Sequence, residues 1–474
     1  MPTRLGASHI ANGHFSLDLR HPIPLIFSPL QILSCPHDIT KRPFLLIHDA
    51  DNAFRPRSTG ASTGRTIMKY VIIGNGIAGV CAAEAIRSED ATGDIAIIGD
   101  ETFPPYSRPM ISHVLEGSQP HDKLPVRSDR FYDDCAITPV LGQRAAGIDI
   151  DNRQVMLADG FRVDYDRLLI AAGADPRPVA AEGLDLKNIF YMRTQDHVKR
   201  QVAALDGARR AVVLGGGLVG FKAAYGLLKR GLSVTMLITS GYPLSMQVDP
   251  TAGKMILDEL VRHGLTVEVG VSVSAFEGNG AVQAAVTDAG TRLPCDLVII
   301  GKGVLPARTF IPRDKIDVDL GVVVDADLQT SAPGIYAAGD VAESVDISRN
   351  CRWVNALWPE AANQGRVAGL NMAGRSVAYP GSLSRNVMRV FDLDVLTVGN
   401  ANPAPDSGCR ILDTGGNSHY RRLVLKDDLL VGAVMINRIE QGGVLRSLIE
   451  NRIPIRLPPH SLMQTGFNFG KLLQ

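Results

Sequence analysis

The sequence predicts an α/β chain with two dinucleotide-binding units and a smaller α+β module behind them. Three observations predict it. The strand–turn–helix stretch "MKYVIIGNGIAGVCAAEAIR" opens at Met68, a second stretch, "RRAVVLGGGLVGFKAAYGLLKRG", opens at Arg209, and apolar runs closed by Gly or Pro alternate with helical periods around them.

In the first stretch, Tyr70 to Ile73 read as a buried strand, Gly74, Gly76 and Gly79 as a tight turn, and the Ala-rich segment that includes Ile77 and Ala78 as a helix. Glycine is needed at such a turn for unusual dihedrals, for close approach of backbone to a pyrophosphate, and for helix–strand packing. The anion then meets unpaired amides at the positive end of the helix. "GDIAIIGDE" supplies the next strand and brings Glu101 about 20 residues beyond Gly79, where an acid holds a ribose hydroxyl pair in such Rossmann-like units.

The second stretch repeats the logic. Ala211 to Leu214 form the strand, Gly215, Gly217 and Gly220 the turn, and Leu218 and Val219 begin a helix that runs to about Arg230, where Gly231 suits a left-handed stop. The following strand, "LSVTMLI", ends at Ile238 with no acid at its tip and no Arg close behind, so the choice between NAD(H) and NADP(H) stays open. Two such turns in one chain imply two dinucleotides, and a flavin with a nicotinamide is the usual pair.

At 474 residues the chain exceeds one ordinary core, and its 45% hydrophobic and 21% charged composition is that of a globular protein. Lys plus Arg, 49, equals Asp plus Glu, 49, which gives no nucleic-acid footprint, and no apolar run reaches the roughly 18 residues of a membrane span. Cys35, Cys81, Cys135, Cys295, Cys351 and Cys409 are scattered without a CxxC, against a zinc, iron–sulfur or disulfide framework and in keeping with a cytoplasmic setting. Cys81 is expected to be a small core residue.

Residues 1–67 differ in texture, mixing Pro, His, Ser and Gly without period, and are expected to be an upstream extension with Met68 as the functional start. Alternating strand and helix follow over 68–178, including "DYDRLLIAAGADPRP". The unit over 179–306 holds the second turn, a helix around Lys254 to His263, the strand "LTVEVG" and "CDLVIIGKGVLP". "TSAPGIYAAGDVA" and the helix-like "PEAANQGRVAGLNMAG" fill 307–376. In 377–474, "HYRRLVLKDDLLVGAVMI" reads as two strands about an Asp-rich turn and "GGVLRSLIENRI" as a short amphipathic helix.

Taken in order, "GNGIAG", "PPYSRPMISHVLEG", "LLIAAGADPRP", "GGGLVG", "IYAAGD" and "WPEAANQGRVAGLNM" closely resemble the pyridine nucleotide–disulfide oxidoreductase superfamily. The match is best to the branch of rubredoxin reductases, ferredoxin reductases and the flavin module of NAD(P)H-dependent nitrite reductases. The resemblance implies an FAD domain (68–178 and 307–376) interrupted by an NAD(P) domain (179–306), then a C-terminal interface domain (377–474) that can join two chains as a homodimer. It further implies FAD pyrophosphate over Gly74, Gly76 and Gly79, adenosine ribose on Glu101, and Arg108, Pro109 and Ser112 near the flavin ring. Ala172, Gly173, Gly339 and Asp340 belong to the two strand ends that meet FAD, Asp340 towards its ribityl and pyrophosphate region. Gly301 closes the nicotinamide turn, and Trp358 and Glu360 start a helix whose amides face the ring's pyrimidine end.

The chain departs from relatives in three ways. The redox cysteines of the disulfide, coenzyme A-disulfide and peroxide branches are missing, which argues against a thiol relay. His113 stands where related electron-transfer reductases carry Lys, as a donor to reduced flavin or an ordinary loop histidine. Lys222 stands where many members carry Glu near the nicotinamide, to meet a cofactor phosphate or to be solvated. The resulting expectation is an NAD(P)H-dependent flavoprotein that passes electrons to a rubredoxin, ferredoxin or iron–sulfur subunit. A reductase of oxygen, a quinone or a disulfide, and an NADH-sensing flavin-binding regulator, are the alternatives.

Overall fold

The computed structural model describes residues 67–416, 418–464 and 466–472. The extension expected over 1–67 lies outside these, Ile67 excepted.

The chain first lays down β1 (Lys69–Ile73), α1 (Ile77–Glu89), β2 (Asp94–Gly99), α2 (Ile111–Glu116), β3 (Ile137–Leu141) and β4 (Arg167–Ile170). It then builds β5 (Ile189–Tyr191), α3 (Gln195–Ala203), β6 (Arg210–Leu214), α4 (Leu218–Lys229), β7 (Ser233–Ile238), α5 (Pro250–Arg262), β8 (Thr266–Val269) and β9 (Leu297–Ile300). Only after these does β10 (Ile335–Ala337) return to pair with β4, so the first parallel sheet, ordered β10-β4-β1-β2-β3, closes around an inserted one ordered β8-β7-β6-β9-β5. In both sheets the central strand is the one that leads into a glycine turn. A purely parallel sheet covered on both faces needs nearly continuous apolar strands, and β1, β4, β6 and β9 are buried almost end to end.

Sterics at the two turns are alike. Gly74 and Gly215 hold φ of +126° and +111°, conformations that side chains rarely adopt. A Cβ on Gly79 would lie 2.0 Å from the Gly74 carbonyl oxygen, and one on Gly220 1.9 Å from that of Gly215. Helix and strand therefore approach as closely as they do only because both positions lack a side chain.

A further helix, α6 (Trp358–Met372), crosses α1 at backbone contact. Gly365 and Gly369 permit this: a Cβ there would meet the carbonyl oxygens of Ala78 and Ala82 at 2.1 Å and 2.4 Å. The last module is an antiparallel sheet of β11 (Arg385–Val390), β12 (Leu393–Gly399), β13 (Arg410–Gly416), β14 (His419–Lys426) and β15 (Leu429–Ile436), ordered β11-β12-β15-β14-β13, with α7 (Gly442–Glu450) packed on it. Asp427 and Asp428 take left-handed φ values in the β14–β15 turn, the Asp-rich turn that the sequence predicts.

This sheet is fixed to the inserted unit along α5. At the start of α5, buried Asp249 caps the Thr251 amide at 3.0 Å, accepts from the Tyr420 hydroxyl at 3.0 Å, and lies 3.4 Å from Arg422. At the other end Glu259, His263 and Arg262 meet Asp392 between β11 and β12, and the His263 ring stacks on Phe391 at 4.1 Å. The buried ion pair and cap fix the N-terminus of α5 to this module, and the contacts of Asp392 fix its C-terminus. No helix among the described residues is long and apolar enough to cross a membrane.

Candidate active site

A cavity of about 730 Å³ runs from the first glycine turn to the start of α4, within the roughly 300–1,000 Å³ of ligand and cofactor sites. Its wall takes Gly74, Gly76, Ile77 and Ala78 from the first turn and Leu218, Val219 and Lys222 from the start of α4. The ends of β4 and β10 add Ala172, Gly173, Gly339 and Asp340, the loop before α2 adds Arg108, Pro109 and Ser112, and the start of α6 adds Trp358.

The residues of the turns divide by what they face. A Cβ on Gly76 or Gly217 would meet nothing within 4 Å, so open space lies in front of both turns, whereas Gly79, Gly215 and Gly220 are packed behind them. Gly301, at the end of β9, is part of that packing, since its Cβ would lie 2.7 Å from the Gly220 Cα. Gly76 and Gly217 cap helices of 13 and 12 residues with no side-chain bond to the first amides. Two open cradles ending in uncapped helix starts fit the phosphates of dinucleotides.

Several of the cavity's side chains are held by partners distant in the sequence. Both Glu101 oxygens are engaged, one by Arg108 Nη2 at 2.7 Å and the other by the Tyr106 hydroxyl at 2.8 Å. Arg108 also donates to the Arg193 carbonyl at 2.9 Å, so it braces the loop through the acid expected to hold ribose. Asp100, directly after β2, lines the cavity beside them. Arg193 donates to Asp340 at 2.9 Å and to the Ala174 carbonyl at 2.9 Å, and ties the linker before α3 to the tip of β10. Asn75, between the first two glycines, receives the Tyr132 hydroxyl at 3.0 Å and donates to the Phe103 carbonyl at 3.1 Å. The Gly339 amide is satisfied by buried Gln364 of α6 at 2.8 Å.

Two expected residues lie elsewhere. Glu360 is buried away from the cavity, where it accepts from the Tyr379 hydroxyl at 2.5 Å and pairs with Arg385. The reason is helical phase: two residues after Trp358 the side chain has turned to the far face. His113 is not on the cavity wall but half-exposed at the end of α2, its Nδ1 3.3 Å from Glu116 and from Ser118. Gly117, with φ of +88°, ends that short helix and folds Ser118 back onto it.

Three of the four Lys and Arg side chains on the wall are paired with carboxylates. Arg108 pairs with Glu101, Arg193 with Asp340, and Arg144 with Asp175 at 3.0 Å. The remaining cation, Lys222, has no carboxylate, and its burial alone lowers its pKa. His197, which caps α3 by accepting from the Thr194 amide, is likewise held below the usual histidine range, by burial first and Arg200 second. Burial pushes the Cys81 thiol up to about 11, so it is protonated at neutral pH and unsuited to nucleophilic redox work.

Comparison with known proteins agrees with this architecture. Residues 68–365 match the model of the family "Pyridine nucleotide-disulphide oxidoreductase", and residues 385–453 match the rubredoxin NAD+ reductase C-terminal domain. The chain is 36% identical over 404 residues to the ferredoxin–NAD(+) reductase component of the biphenyl dioxygenase system of Paraburkholderia xenovorans, covering 85% of this chain and 98% of that protein. It is 29% identical to the nitrite reductase [NAD(P)H] of Bacillus subtilis over 82% of its own length, and spans only 48% of that longer protein. Among solved structures, the covalent putidaredoxin reductase–putidaredoxin complex superposes with a TM-score of 0.78 at 28% identity, covering 86% of this chain and 98% of that one. The chain belongs to the pyridine nucleotide–disulphide oxidoreductase family, in the branch of rubredoxin and ferredoxin reductases, and is an FAD-dependent oxidoreductase working with NAD(H).

Proposed function

We propose that the chain takes electrons from NADH and delivers them, through FAD, to a small rubredoxin, ferredoxin or iron–sulfur subunit. One observation carries the reading: the open cradle before α1 and the first turn of α4 share a single cavity, so two bound dinucleotides can bring their reactive rings together. When bound, FAD supplies a hydride acceptor able to return the electrons singly or in pairs.

The chain's own residues bind, orient and balance charge. In this reading 68–178 with 307–376 hold FAD, 179–306 hold the nicotinamide dinucleotide, and 377–474 form an interface module that also serves a homodimer. The uncapped starts of α1 and α4 bind pyrophosphates. Pro359 at the first turn of α6 removes an amide that would go unpaired, and the remaining amides beside Trp358 favour negative charge in the cavity. Arg193 holds the Asp340 carboxylate in place, while the Glu101–Arg108–Tyr106 cluster fixes the loop that carries Pro109 and Ser112.

The finer cofactor choice is NADH over NADPH. Residues 239–248, which follow β7, hold no Lys or Arg to meet a 2′-phosphate. A cytoplasmic setting belongs to the same proposal, from the scattered cysteines. The test is steady-state oxidation of NADH and of NADPH with ferredoxin, with rubredoxin and with dioxygen as acceptors. The proposal expects a protein acceptor to exceed dioxygen by orders of magnitude. Equal or faster turnover with dioxygen alone would replace it with a small-molecule reductase.

A further inference from the structure

One ammonium on the cavity wall has no ion-pair partner among the described residues, and one carboxylate there, Asp100, has none either. Four Lys and Arg side chains lie on the cavity wall, and three of them are paired with carboxylates at 2.7 Å, 2.9 Å and 3.0 Å. Lys222 is the fourth, and among the described residues it has neither an ion pair nor a hydrogen bond. It sits on α4 one turn beyond the Gly217 cap, so its charge adds to the positive end of the helix dipole instead of offsetting it. The residue is only partly buried, so its ammonium keeps some contact with solvent while lining the cavity without an ion pair among the described residues.

What the charge does follows from the chemistry of the ligand on the same helix. The nicotinamide ring carries a positive charge when oxidised and none when reduced, while the rest of the dinucleotide is the same in both forms. A fixed cation beside the ring therefore leaves the reduced form unaffected and repels the oxidised one. At an effective dielectric of about 20, two unit charges within about 10 Å interact strongly enough to change a binding constant by more than tenfold.

We propose that Lys222 is a specificity-determining residue that makes this site selective for the reduced nicotinamide and expels NAD+ once the hydride has left it. The consequence is a one-way bias: the product binds poorly, competes weakly with NADH, and is a poor partner for the reverse reaction. This rests on the proposed placement of the nicotinamide on α4.

The test is equilibrium binding to the FAD-loaded protein of three ligands: NAD+, the unreactive neutral-ring analogue tetrahydro-NAD, and ADP-ribose, which has no nicotinamide ring. The wild type is expected to bind tetrahydro-NAD at least about tenfold more tightly than NAD+. Lys222→Met should cut that preference about tenfold by tightening NAD+, and Lys222→Arg should keep it. ADP-ribose should bind all three proteins alike, which also reports a folded site. A preference unchanged within about twofold in Lys222→Met overturns the proposal. Equal weakening of all three ligands also overturns it, since the lysine would then hold a phosphate common to them. If the wild type binds none of the three, the placement of the nicotinamide on α4 fails as well; if ADP-ribose binds normally and only the preference is missing, the role of Lys222 alone is rejected.

Discussion

Adding one methyl group at Gly220 should separate the two dinucleotide sites. An alanine Cβ there would lie 1.9 Å from the Gly215 carbonyl oxygen and 2.9 Å from its carbon, whereas real Cβ contacts essentially never fall under 3.0 Å. The start of α4 must therefore retreat from β6 by roughly 1 Å, a misplacement that costs about 100-fold when it falls on a reacting group. Overpacking of this kind also costs about 1–3 kcal/mol of stability. The first turn is untouched, so Gly220→Ala should retain FAD. Anaerobic stopped-flow mixing with NADH should show flavin bleaching slowed about 100-fold, with weaker NADH binding. Gly217→Ala is the companion variant: its Cβ meets nothing within 4 Å, so it should fold with wild-type stability yet intrude on the open cradle and weaken NADH binding. If Gly220→Ala is reduced by NADH at the wild-type rate and affinity, the second turn is not the nicotinamide site.

Three further outcomes follow from named contacts. Asp249→Ala removes the α5 cap and the buried partner of Arg422 and Tyr420, which keep Asp413, and should lower unfolding free energy by about 1–3 kcal/mol in denaturant titrations. Arg193→Met strips Asp340 of its guanidinium and should weaken FAD retention by about tenfold, or ~1.4 kcal/mol, read by flavin release on dilution. His197 is held below its ordinary pKa, so near and below about pH 6.5 the unfolded chain takes a proton that the folded one resists, and stability falls as pH falls through that window. His197→Gln keeps an acceptor for the Thr194 amide in a standard capping box and should shrink the Tm difference between pH 7.5 and pH 5.5; an unchanged difference would exclude His197 as a source of acid sensitivity.

Much of the fold was legible because backbone sterics write it locally. Gly74 and Gly215 need left-handed φ, Gly79 and Gly220 need contact with backbone, and each constraint falls within a few residues of an apolar strand. The strand "LSVTMLI" ends at Ile238 as the pattern predicts, whereas the strand before Glu101 stops at Gly99. The site was less legible where it depends on orientation or on distant partners. Glu360 carries the right charge next to Trp358 but the wrong helical phase, and His113 is turned outwards at the Gly117 stop. Arg193 and Asp340 are 147 residues apart, so no window of sequence could pair them. Asn386, Val387 and Met388 of β11 reach the cavity from the last module, and nothing in their composition signals it. Lys222 was visible as a residue, but its isolation appears only once the three neighbouring cations are seen with their carboxylates.

The most direct measurement is an anaerobic NADH titration of the purified protein after incubation with excess FAD and removal of the unbound cofactor. The account predicts one FAD per chain and complete loss of its visible absorbance on addition of one equivalent of NADH. A protein that stays colourless after FAD is offered, or a bound flavin that excess NADH leaves oxidised, would contradict it.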